Sequence, residues 1–245
     1  MSARDQLSES IVDALNDIAG RHDGFRAVHA KGTLCAGTFT PSPGAAAVCR
    51  AAHFQDGELR AHVRFSNGSG DPHGRDGAHD GRGMAVKVYL PEGRTTDVVG
   101  ISRRQFFVRT PEDFLEFTRA RKPDPETGQP DLERLGAFLG THPEAGPAVQ
   151  EQLASRPPVS YATTSYNSLH AFQLSAPDRT ARWVRWHWHP EAGEAVIDDD
   201  AEVEKLEPDY LQVELGRRLE AGPVGFVLQA AVAEEGDPLD DPTQA

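Results

Sequence analysis

Residues 59–66 read LRAHVRFS, and the alternation in that stretch decides the fold class. Leu59, Ala61, Val63 and Phe65 fall on one side, and Arg60, His62, Arg64 and Ser66 on the other. Successive strand side chains point to opposite faces, so the pattern predicts a strand with one apolar and one polar face. Such a polar face is ordinarily a solvated surface, and the alternative is that it lines a pocket. Outward from this strand, 84–90 (MAVKVYL) reads as another, and 97–109 as strand in pieces. Residues 25–40 read as extended, because Gly32 and Gly37 disfavour a helix there. Further strands are predicted over 159–174, 181–189 and 223–233. Within 181–189, Val184, Trp186 and Trp188 alternate with Trp183, Arg185, His187 and His189.

Helices lie among these strands. Leu7, Ile11, Leu15 and Ile18 form one stripe that closes near Gly20. Thr110-Pro111-Glu112-Asp113 reads as a helix start, with Thr110 as cap, Pro111 in the first position and Asp113 as a capping-box acid. Helices are also predicted over 131–140 and 143–154, and from Pro208 to about Gly222. Runs of strands and runs of helices, rather than strict alternation, indicate α+β.

The chain has 245 residues, enough for a sizeable core. With 25 Lys and Arg against 38 Asp and Glu, the formal net charge is −13, which argues against nucleic-acid and anionic-membrane partners. Cys35 and Cys49 cannot staple a domain of this size, and read as the thiols of a cytoplasmic protein. Neither a signal peptide nor a membrane-spanning run is read in the sequence. The dinucleotide, P-loop and nucleophile-elbow motifs are absent.

From residue chemistry alone, His29 is either a satisfied core histidine or a general acid/base. Arg26 and Arg64 are either surface ion-pair partners or an anion clamp. The stretch 67–83, NGSGDPHGRDGAHDGRG, reads as a solvated loop; a metal site using His73, His79, Asp71, Asp76 and Asp80 is the weaker alternative. His187 and His189 share a strand face, which favours a covered face over a metal site.

Four ordered blocks then resemble the haem catalase superfamily, and most of all its short members, the catalase-related peroxidases. They are Arg26-Ala27-Val28-His29-Ala30-Lys31-Gly32, Val63-Arg64-Phe65-Ser66, Asp80 to Tyr89 (DGRGMAVKVY), and Asp97-Val98-Val99-Gly100 followed by Phe106-Phe107-Val108-Arg109 and Phe114. A weaker match runs from Tyr166 to Phe172. The resemblance implies an antiparallel β-barrel of catalase type with flanking helices. It implies haem as cofactor, and hydrogen peroxide and an organic electron donor as reactants. His29 would be the distal histidine and Ser66 its orienting partner. Arg26 and Arg64 would pair with the haem propionates, Val28 would pack over the ring, and Phe107 would line the distal pocket. Phe114 would stack near the haem, and His170 would belong to the proximal network. The implied organisation is one catalase-like domain over 1–245, with residues 1–24 as helix and linker, and a homo-oligomer is left open.

Two departures are visible. The family's asparagine after the D-L-V-G block is replaced by Ser102, preceded by Ile101, which shifts the expectation from peroxide dismutation toward oxidation of an organic donor. The family's iron-binding tyrosine sits in a C-terminal R-x-x-x-Y segment, and Tyr89, Tyr161, Tyr166 and Tyr210 lie in no such segment. An incomplete C-terminal part is therefore expected, with the metal ligand unassigned. A barrel that binds a small ligand without haem, or pairs with another chain, is the competing expectation.

Overall fold

The computed structural model describes residues 2–55, 57–129 and 131–245. Among the described residues eight strands form one antiparallel sheet: β1 (Gly32–Phe39), β2 (Leu59–Asn67), β3 (Arg82–Tyr89), β4 (Thr95–Ile101), β5 (Tyr166–Asn167), β6 (Phe172–Ser175), β7 (Ala181–Pro190) and β8 (Phe226–Val232). β1 to β5 pair in sequence order, β5 and β6 pair with successive parts of β7, and β8 takes the other edge of β7. Among the described residues β1 and β8 are not hydrogen-bonded to each other, so the sheet curls without closing.

The alternation in β2 and β7 sorts as physics requires. Ala61 and Phe65 are buried in the sheet core with Val184, Trp186 and Trp188, while their polar neighbours face outward. Phe65 stacks on Tyr161 with centroids 5.5 Å apart and lies 5.9 Å from Phe226. Burying such aromatic side chains stabilises the inner face by roughly 1.5–3 kcal/mol each.

The first helix, α1 (Ala3–Ala19), begins at a reciprocal cap between Ser2 and Asp5 and ends at Gly20, whose φ of 84° suits glycine. Thr110 caps α3 (Pro111–Ala120) by accepting from the Asp113 N–H, with Pro111 in the first turn. Only this half of the expected capping box forms. With α4 (Leu132–Thr141) and α5 (Ala145–Ala154), α3 builds a second core around Val108, Phe117, Ala120, Phe138 and Ala145. No helix among the described residues is long and apolar enough to cross a membrane.

Several boundaries differ from expectation. Residues 25–31 are loop rather than strand, because their backbone pairs with the 67–83 loop: His29 N–H donates to the Gly68 carbonyl and Ala30 N–H to that of Ser69. Strand β4 stops at Ile101, and the following stretch is tied instead to the C-terminal tail, Phe106 N–H donating to the Pro242 carbonyl. The span 159–174 breaks into a 3-10 turn at Tyr161–Thr163 and the short β5 and β6. Helix α7 (Tyr210–Ala221) begins after Pro208, whose carbonyl is occupied by Lys31 Nζ and the Asp76 N–H. Two short helices, α2 (Ala45–Val48) and α6 (Asp200–Lys205), were not read from the sequence.

Candidate active site

His29 adopts φ = 54°, in the left-handed region that costs a non-glycine residue about 1–2 kcal/mol. Surrounding bonds hold it there. Its N–H donates to Gly68, and its carbonyl accepts from Arg64 Nη2 at 2.8 Å. The imidazole Nδ1 lies 3.1 Å from Ser66 Oγ, projected from the polar face of β2. No hydrogen bond forms at Nε2 among the described residues, so the ring is oriented at one nitrogen and available at the other. Burial pushes the His29 pKa below its ordinary 6.5; Arg64 and Arg26 push the same way, and Asp80 opposes them.

The ring lies against Gly83 of β3, which pairs with Ser66. A Cβ at Gly83 would stand 2.8 Å from Ser66 Oγ and 3.0 Å from His29 Cε1. Gly83→Ala is therefore expected to displace the histidine and cost about 1–3 kcal/mol through overpacking. The histidine pKa, followed by NMR, should move back toward 6.5; an unchanged pKa and melting temperature would show that the contact does not position the ring.

The strand register extends this outer face. Leu34, Arg64, Ala85 and Val99 lie in one row across β1 to β4, beside the row Gly32, Ser66, Gly83 and Ile101. Leu34 is 64% exposed and Val99 61%, and Val28 is also exposed on the loop that carries His29. Glycine and alanine keep the middle of the face low, so a flat apolar body can lie on it. Arg26 is exposed and makes no ion pair among the described residues. Burial and then the charge of Arg26 push the Arg64 guanidinium below its ordinary pKa.

The other expected site residues sit on several elements. Phe107 lines a cavity of about 490 Å³ beside Val28 and stacks on Phe117 at 4.7 Å. Phe114 stacks on Phe106 at 5.5 Å within the helical core. His170 is exposed between β5 and β6, and only its backbone carbonyl bonds, to Ser168 Oγ. Ser102 gives its hydroxyl oxygen to the Arg82 N–H at 2.9 Å.

The 67–83 loop is not the solvated segment expected from its composition. Asp76 is 0% exposed and pairs with Lys31 Nζ at 2.8 Å, while its carboxylate also accepts from Asn67 Nδ2 and the Leu211 N–H. Arg82 is buried and donates to the carbonyls of Asp76, Ala78 and Asp80. Buried charges need such partners, and here they fasten the loop that receives the His29 backbone. Sequence reasoning missed Asp76 as a structural anchor; Lys31, inside the apolar-flanked HAKG segment, was the available signal. Among the described residues no group of three metal-ligating side chains converges, and His187 is bonded through Nδ1 to Asn167 Oδ1.

The outer face fits the distal side and the anionic edge of a haem: a flat apolar surface, an oriented imidazole and two arginines. The described tyrosines do not complete it. Tyr161 and Tyr166 are buried in the sheet core, Tyr210 OH donates to the Pro158 carbonyl, and Tyr89 OH bonds to His62 Nδ1 at 2.7 Å.

A family model described as catalase matches residues 17–233. The chain is 42% identical over 240 residues to a catalase-related peroxidase of Mycolicibacterium paratuberculosis, covering 97% of this chain and 74% of that protein. It is 32% identical over 237 residues to a catalase-related peroxidase of Synechococcus elongatus, covering 97% and 70%. A fungal catalase crystal structure superposes with a TM-score of 0.81 at 28% identity, over 92% of this chain and 48% of that one. The chain therefore spans about half the length of that solved structure.

Proposed function

The chain belongs to the catalase family, and we propose that it is a haem-dependent, peroxide-consuming oxidoreductase that takes its electrons from an organic donor. The observation that carries this reading is the His29–Ser66 pair, held at 3.1 Å over Gly83 with Nε2 left available. Bound haem would supply the redox chemistry of O–O cleavage. Arg26 and Arg64 would hold its carboxylates, and Val28 would cover its distal side. His29, kept neutral by burial, would accept a proton at Nε2 from one peroxide oxygen and return it to the other, which leaves as water. Ser66 keeps the ring aimed during that transfer. The organic donor follows from Ile101-Ser102: the Ser102 hydroxyl is engaged by Arg82, so no side-chain amide is offered there to position a second peroxide.

The test is an absorption spectrum of the full chain before and after incubation with haemin, followed by peroxide consumption with and without an organic donor. A retained Soret band with donor-dependent consumption is the expected result. Failure to retain haem would favour the second reading, a catalase-like scaffold without the cofactor, whose support is that no tyrosine among the described residues stands free on the outer face. Arg26→Ala should weaken haem binding roughly tenfold, the equivalent of one charge-assisted hydrogen bond of about 1.5 kcal/mol. Haemin titration of the variant measures this, and an unchanged affinity removes Arg26 from the propionate edge.

A further inference from the structure

The cavity beside Val28 and Phe107 measures about 490 Å³. A water occupies about 30 Å³ of liquid, and hydrogen peroxide needs only about twice that. The cavity is thus several times larger than peroxide requires, and of the size that holds small organic ligands. Its wall is mainly apolar, with Leu15 and Ile18 from α1, Phe117 from α3 and Val149 from α5. Arg121, at the end of α3, also lines it. Its guanidinium lies 4.7 Å from the Phe117 ring and, among the described residues, makes neither an ion pair nor a side-chain hydrogen bond. A second cation neighbours it: Arg103, 4% exposed, which donates to the Gln152 side chain, has no partner at Nη1, and is itself countered by the charges of Glu151 and Asp80. Asp80 is the neighbouring anion, but its carboxylate already accepts from the Ser69 N–H at 2.7 Å and lies 3.9 Å from Arg82. Of the other arginines and carboxylates lining the cavity, Arg75 donates to the Glu204 and Leu206 carbonyls and Asp71 accepts from the His73 N–H, so Arg121, which is exposed, is the one whose side chain has no hydrogen-bond or ion-pair partner among the described residues. A planar guanidinium pairs with carboxylate or phosphate through two parallel bonds, and beside an apolar wall the singly charged carboxylate is the less costly to desolvate.

We propose that this cavity binds an amphipathic organic acid, its carboxylate on Arg121 and its chain along the apolar wall. This deepens the reading above by naming the class of organic molecule held beside Val28, the residue before His29, and it rests on that reading only for the molecule's role, not for its binding. Calorimetric titration of the full chain with decanoate and with decanol, without haemin or peroxide, tests it. Decanoate should bind one to one and at least tenfold more tightly than decanol. Arg121→Gln should abolish that preference while decanol binding persists, and Arg121→Lys should restore part of it. Equal affinities for acid and alcohol, no binding of either, or a preference that survives Arg121→Gln would overturn the proposal. Because neither haem nor peroxide enters the titration, a failed Soret test leaves this result to be judged separately.

Discussion

His29→Ala is expected to lower peroxide turnover by about 10²–10⁴-fold while haem binding is retained, the range that a positioned general acid/base contributes. Retention is expected because the contacts assigned to haem binding come from Arg26, Arg64 and the flat face of β2 to β4, not from the imidazole. The substitution also relieves little strain, since alanine must still adopt the φ of 54° imposed by the bonds to Gly68 and Arg64. Turnover in the variant should therefore fall without a comparable fall in melting temperature. Ser66→Ala should fall less, because it loosens the ring without removing the base. The pH profile gives a second readout. Burial holds the folded His29 pKa below 6.5, so the imidazole is neutral at pH 7 and gains its proton only at lower pH. The acid limb of the turnover profile should accordingly lie below 6.5 and vanish in His29→Ala. Unchanged turnover in that variant would remove His29 from the reaction.

Much of the frame was legible because its determinants are local. The alternation of Leu59 to Phe65 and of Val184 to Trp188 follows from the two faces of a strand, and Thr110-Pro111 marks a helix start within one turn. The candidate site was reached mainly through block resemblance. Residue chemistry alone left His29 as readily a core histidine, because its left-handed backbone is imposed by Gly68 and Arg64, distant in sequence. The 67–83 loop was misread for a related reason. Six glycines and many charges resemble a solvated segment, and only the folded chain brings Lys31 to Asp76 and the start of α7 onto the same carboxylate. Phe114 illustrates a third limit. It was read from its place after the fourth block, but Phe106 and the helical core decide what its ring touches.

The largest expected effect on stability is at Asp76. Its carboxylate joins four elements: Lys31 just before β1, Asn67 at the end of β2, the loop that carries it, and the Leu211 N–H in the first turn of α7. Helix α7 has no side-chain cap of its own at Asp209, so Asp76 supplies both a hydrogen bond and a negative charge to that N-terminus. Asp76→Ala leaves Lys31, whose side chain is 4% exposed, with Asp209 as its remaining carboxylate, and that partner is 66% exposed and screened by solvent. Breaking one side of a buried pair typically costs about 3–5 kcal/mol, and because Lys31 keeps the Gly74 and Pro208 carbonyls the lower end of that range is expected. For a chain of this size that corresponds to a fall in melting temperature of roughly 10 °C. The double variant Asp76→Leu with Lys31→Met should lose less than the sum of the two single changes, since it removes both charges together. Haem binding should weaken alongside, because the loosened loop also holds the backbone of His29. Thermal unfolding of the parent, the two single variants and the double variant measures the cycle, with Asp76→Ala measured beside them. Strict additivity, or an Asp76→Ala variant within about 0.5 kcal/mol of the parent, would mean that the loop is held by Arg82 alone and that Lys31–Asp76 is incidental.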